Sequence, residues 1–214
     1  MRTFAGFSEI IFNFAVAKKK QHHVMKKRII GLLIVLVALI VAVVSSWHTD
    51  KKSTEEPKDA KSLLRMGIDY DKAGNYAEAA YWYRMAAIQG LPEAQNNLGV
   101  MYKDGQGVTQ DYAEAVRWFE KAARQGNVLA QSNLGWMYQS GSGVKQNYDK
   151  ARHWYLLAAC AGHAAAQNNL GTMYRDGQGV TQCIDSARYW FAQAAAQGMA
   201  LAKRNLEKLE EEAH

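Results

Sequence analysis

Asparagine stands at 97, 133, 169 and 205, one carboxamide every 36 residues. A carboxamide carries both donors and an acceptor, so a row of them on one surface can bond the backbone of an extended peptide. The competing use is internal, because half-buried amides usually find partners inside the fold. Around these amides the repeat changes its letters. Asn96, Ser132 and Asn168 share one equivalent position, Val100, Trp136 and Thr172 a second, and Lys103, Gln139 and Arg175 a third. Positions that vary inside a strict repeat are released from the packing that fixes the rest. Asn97, Val100, Lys103, Asn133, Trp136, Asn169, Thr172 and Arg175 are therefore the candidate partner-binding residues. Trp136 is the anchor of the set, since tryptophan supplies large contact area at interfaces.

Groups for bond-breaking chemistry do not assemble. His22, His23, His48, His153, His163 and His214 include no pair four apart, and no cysteine stands at metal-ligand spacing from them. Ser142-Gly-Val-Lys145 has the form S-x-x-K but lacks the S-D-N and K-T-G companions that form requires. Gly105-x-Gly107 suggests a phosphate loop, but Gln110, Gln146 and Gln182 stand where its third glycine belongs, and no strand precedes it. The sequence thus names no catalytic residue, no metal site and no cofactor. Nor does it point to nucleic acid. The net charge is +6, but residues 1–57 hold nine basic and four acidic groups, and residues 58–214 hold 17 and 16. The body of the chain has no basic footprint for phosphate.

The elements that position these residues follow from the period. "AQNNLGVMYKDGQGVTQ" at 94–110 returns as "AQNNLGTMYRDGQGVTQ" at 166–182 with two changes, Val100 to Thr172 and Lys103 to Arg175. The varied positions make both changes outward-facing by expectation. Trp82, Trp118, Trp154 and Trp190 keep the same step, as do Gly90, Gly126, Gly162 and Gly198. Self-similarity at this period signals a solenoid. Each unit reads as two helices. Ala94, Leu98, Met101 and Tyr102 fall on one face of the first, and Ala115, Trp118, Phe119, Ala122 and Ala123 on one face of the second. Trp118, Trp154 and Trp190 are structural by this reading. So are the loop glycines Gly105 and Gly107, Gly141 and Gly143, and Gly177 and Gly179, which let the chain leave a helix and turn sharply. Asp111 and Asn147 are placed to cap the second helices.

The pattern A-x-x-x-L-G-x-x-Y-x-x-G-x-G-V followed by A-x-x-W-(F/Y)-x-x-A-A-x-x-G resembles the Sel-one-like repeat (SLR) family, relatives of the tetratricopeptide repeat. The resemblance spans about residues 60–210. It implies an all-α, right-handed solenoid of four helix-turn-helix units, at 60–91, 92–127, 128–163 and 164–199, with a capping helix over 200–212. It also implies first helices lining a concave groove that binds a protein or peptide, in a non-catalytic adaptor. Relatives linked to β-lactams make a cell-envelope hydrolase of β-lactam or peptidoglycan type the alternative, and a secreted host-interaction protein a further one. Some cysteine-rich relatives join helix pairs by disulfides. Here Cys160 and Cys183 fall near opposite ends of neighbouring second helices, about 20 Å apart by helical rise. A bridge needs Cα atoms within about 7 Å, so none is expected. The first unit departs from the pattern, with "KAGNY" at 72–76 in place of the glycine loop, and Ile184 replaces the tyrosine of positions 76, 112 and 148.

Before the repeats lies a different chain. Residues 1–28 form a basic N-terminus expected in the cytoplasm, and Met25 ahead of Lys-Lys-Arg leaves 1–24 open as a mis-assigned start. Ile29 to Val44 is uncharged and almost wholly aliphatic, and with Ser45, Ser46 and Trp47 it reaches 19 residues. That length of helix is about 28 Å, near the hydrocarbon thickness of a bilayer. Lysines and arginine cluster before it, so 29–47 reads as a transmembrane signal-anchor with the repeats exported. A cleaved signal peptide is the rival, disfavoured by the long apolar core and the weak "VSS" site. Residues 48–59 are a flexible linker. The expectation is a single-pass protein of a bacterial inner membrane with its repeats in the periplasm, or a secreted or periplasmic protein after cleavage.

Overall fold

The computed structural model describes residues 59–211. The signal-anchor, the basic N-terminus and all of the linker but Asp59 lie outside those residues. Among the described residues no helix is long and apolar enough to cross a membrane.

The described chain is helical, with no strand. First helices are α1 (Ala60–Lys72), α3 (Pro92–Asp104), α5 (Val128–Ser140) and α7 (Ala164–Asp176). Second helices are α2 (Tyr76–Ile88), α4 (Tyr112–Arg124), α6 (Tyr148–Cys160) and α8 (Ile184–Ala196). A last first-type helix, α9 (Ala200–Glu211), follows them. Each of the eight paired helices is 13 residues, about 20 Å. Every helix packs on the next in the chain, and α5 also meets α7 directly. The result is a solenoid in which each unit contacts its neighbours.

Local chemistry sets the helix ends. Asp59, Asp111, Asn127 and Asn147 accept hydrogen bonds from backbone N–H groups two or three residues on. Each satisfies a donor the helix cannot satisfy itself. Pro92 opens α3, where its missing N–H costs nothing. The loop after each of α3, α5 and α7 is tied by a glutamine. Gln110, Gln146 and Gln182 donate to the carbonyls of residues 103, 139 and 175.

The two helices of each unit bind through shape as well as apolarity. In α5, Gly135 exposes bare backbone to the ring of Tyr155, and a Cβ there would lie 2.6 Å from Cδ1. Gly99 and Gly171 receive Phe119 and Phe191 in the same way. The aromatic ring replaces the missing side chain, and the alanines of the second helices let the next first helix approach. Ala115, Ala122, Ala151 and Ala158 are fully buried. Trp118 is buried, while Trp154 and Trp190 pack half-buried against the core. The second loop glycine has a further role. At Gly143 a Cβ would lie 2.3 Å from the carbonyl carbon of Tyr112, so the loop rests on the start of the preceding unit's second helix. Gly107 meets Tyr76 and Gly179 meets Tyr148 likewise. Position 184 is the equivalent place in the fourth unit, and there the residue is isoleucine.

The last described helix departs from the pattern of the earlier first helices. Where earlier first helices bury glutamine at 95, 131 and 167, and asparagine or serine at 96, 132 and 168, α9 carries exposed Lys203 and Arg204. Where they place glycine against a ring, it carries Glu207.

Candidate functional site

The repeated amides are mostly used inside the stack. Gln95, Gln131 and Gln167 are buried, and each donates to a carbonyl near the end of the preceding second helix. Gln125 and Gln197 extend the link by donating to Gln95 and Gln167. The asparagines form a second set. Asn133 donates to Asn96 Oδ1 across 3.1 Å, and Asn205 to Asn168 Oδ1 across 2.9 Å. Asn97 and Asn169 are directed at the hydroxyls of Tyr83 and Tyr155. Burial pushes both phenols well above the usual tyrosine range, so they stay protonated and donate, to Asp71 and Gln139 respectively.

These bonds correct part of the sequence reading. Asn96 and Asn168 are buried and accept hydrogen bonds within the stack, so they belong to the packing; Ser132 is buried without such a bond. Val100 and Thr172 are half-buried rather than fully exposed. Val100 is half-buried against the core, and the Thr172 hydroxyl bonds the Asn168 carbonyl in its own helix. Lys103 and Arg175 are half-buried, and each pairs with the aspartate that follows it, at 3.3 and 2.6 Å.

Trp136 has 42% of its surface exposed. It stands in a depression of about 300 Å³ on the first-helix face. Four candidates line it: Lys103, Asn133, Trp136 and Asn169. Ser132, which the sequence reading noted as a varying position but left out of the candidates, completes the wall with Leu129, His163 and Ala165, which it missed. A signal for them existed. Ser132 replaces the asparagine of 96 and 168, and Ala165 replaces the leucine of 129 and 201. Trp136 stands where Val100 and Thr172 stand, and His163 where Asn127 caps. Two truncations open the space and a tryptophan walls it, so the depression lies where the repeat departs from itself. His163 Nδ1 accepts from the Ala166 N–H at 3.3 Å, which places the imidazole proton on Nε2. Burial lowers its pKa, keeping it neutral.

Ser142 lies in a loop turn, where its hydroxyl accepts from Ser140 Oγ at 2.9 Å, and no bond to Lys145 is formed among the described residues. The hydrolase alternative gains no support from this geometry. Cys160 and Cys183 are free thiols. Among the described residues no three His, Cys, Asp or Glu are grouped to hold a metal ion.

The family model of the Sel1 repeat matches residues 60–91, 92–127, 128–163 and 164–199. A protective antigen present in uropathogenic Escherichia coli strains, displaying an SLR fold, is similar at 36% identity and a TM-score of 0.68. The match covers 73% of this chain and 34% of the antigen, so this chain spans about a third of that protein. A Sel1 repeat protein from Oxalobacter formigenes is similar at 35% identity and a TM-score of 0.68, over 75% of this chain and 67% of that one. No match emerged among curated proteins.

Proposed function

Because the chain belongs to the Sel1 repeat family, whose members are in general protein-interaction scaffolds without catalysis, we propose that it is a membrane-tethered adaptor that binds a protein or peptide in the first-helix groove. The observation that carries this is the depression around Trp136. Here a 42% exposed indole stands in one depression with the side chains of Asn133, Asn169 and His163. A tryptophan beside convergent polar groups is the composition of an interface centre.

The tether rests on the sequence of residues 29–47, and the proposed location is a bacterial inner membrane with the repeats on the periplasmic side. Polar residues 48–59 would hold the solenoid off the bilayer while keeping it near. The partner is a protein or peptide. Neither nucleic acid nor a small-molecule cofactor is part of the reading.

The test is site-specific photo-crosslinking in cells. A photoreactive residue replaces Trp136, and a control replaces Arg117, an exposed side chain on a second helix. A partner trapped from 136 and not from 117 supports the adaptor and identifies its client. Equal or empty capture at both removes it. Mass spectrometry of the trapped species distinguishes a chain that retains residues 29–47 from a cleaved one.

A further inference from the structure

The asparagine ladder between first helices has a rung missing. Asn133 on α5 donates back to Asn96 on α3, and Asn205 on α9 donates back to Asn168 on α7. The step between them needs an acceptor at 132 for Asn169, and position 132 is serine. The first equivalent position, 64, is leucine packed into the core, so serine is the short residue of the four. The depression opens at this step, and Ala165 widens it from the other wall.

Resting on the groove reading above, we infer that this pocket receives an asparagine or glutamine side chain of the bound peptide, which supplies the missing carboxamide. The groups left open are matched to that chemistry. Asn133 Oδ1 and Asn169 Oδ1 accept no hydrogen bond among the described residues, and the Ser132 hydroxyl has no partner there. Both amide oxygens need a donor, while the spare Asn169 N–H and the His163 Nε2–H need an acceptor. A carboxamide offers both. A carboxylate only accepts, so it would face the two amide oxygens unfavourably. The one cation on the wall, Lys103, is already paired with Asp104. An aliphatic side chain would leave the same groups buried and unpaired, the loss by which hydrogen-bonding sites reject apolar analogues. Trp136 and Leu129 would hold the apolar residues flanking the amide.

The experiment uses the full-length chain in detergent and three capped tripeptides, acetyl-Leu-Asn-Leu-amide and its Asp and Leu counterparts at the middle position. Binding is read from the indole N–H resonance of Trp136. The asparagine peptide is expected to bind at least about tenfold more tightly than either counterpart, the discrimination of a site left with unpaired polar groups. Ser132→Asn restores the rung from within. It should abolish that preference and raise the thermal midpoint by about 2–4 °C, the shift for about one hydrogen bond in a chain of this size. Ala165→Leu fills the pocket from the opposite wall with the residue of 129 and 201, and should also abolish binding. Tighter binding of the Asp or Leu peptide overturns the assignment, as does asparagine-peptide binding that survives both substitutions. If no peptide moves the Trp136 resonance while crosslinking from 136 still captures a partner, the carboxamide assignment falls and the adaptor stands. If capture fails as well, both fall.

Discussion

Gly141 and Gly143 stand two residues apart in one loop with nearly the same backbone, φ of +75° and +70°. Alanine at either carries the same left-handed cost of about 1–2 kcal/mol. The gain from a less flexible unfolded chain offsets about 0.4–1 kcal/mol of it. The surroundings differ. At Gly141 the new methyl meets Gln146 Cβ at 3.2 Å, a side chain that yields by a few tenths of an ångström. At Gly143 it lies 2.3 Å from Tyr112 C, 2.4 Å from its O and 2.7 Å from Ala113 N. Carbon atoms prefer about 3.5–4.0 Å, and overpacking costs about 1–3 kcal/mol where side chains can adjust. Backbone at the start of α4 cannot adjust without parting the two units. Gly141→Ala is therefore expected to cost about 1 kcal/mol and Gly143→Ala at least about 3 kcal/mol. Urea unfolding of the two variants, followed by far-ultraviolet circular dichroism and extrapolated linearly, measures the difference. The thermal midpoints should be separated by about 4–8 °C. Equal costs, within about 0.5 kcal/mol, would refute the claim that the second glycine exists for close approach between units.

Further outcomes follow from the hydrogen-bond network and the groove. Gln95→Ala removes the donor to the Ala87 carbonyl and the acceptor for Gln125, and should cost about 1–3 kcal/mol in the same urea assay. Trp136→Ala should change stability by less than about 1 kcal/mol yet weaken peptide binding at least about tenfold, measured by titration. His163 gives a pH dependence with a definite sign. Its folded pKa lies below the unfolded value of about 6.5, because burial opposes the charge. The unfolded chain therefore binds more protons, and the contribution is present above pH 6.5 and lost as pH falls through the folded value. His163→Asn keeps a cap that does not titrate, so urea unfolding at pH 7.5 and 5 should show a smaller acid loss in the variant than in the parent.

The sequence by itself determined the solenoid. A 36-residue period with apolar faces at helical spacing admits little else, because each unit buries its face only against the next. Caps at Asp111 and Asn147 were legible for the same reason, being set by contacts two or three residues away. Trp136 stood out because it broke the pattern beside otherwise repeated letters. What the tertiary structure decided is which broken positions meet. Asn97, Asn133 and Asn169 look alike in the chain, yet Asn133 reaches back 37 residues to Asn96, while Asn97 and Asn169 meet a tyrosine hydroxyl of the preceding second helix and Asn169 alone stands opposite a serine. Val100 and Thr172 varied without being free, since burial there is set by a neighbouring helix. His163 and Ala165 line the depression only because α7 stands beside α5. Contacts along one helix are written in residue spacing, whereas contacts between equivalent helices depend on the volume of a partner 36 residues away, and a single serine there makes the difference between a packed seam and a site.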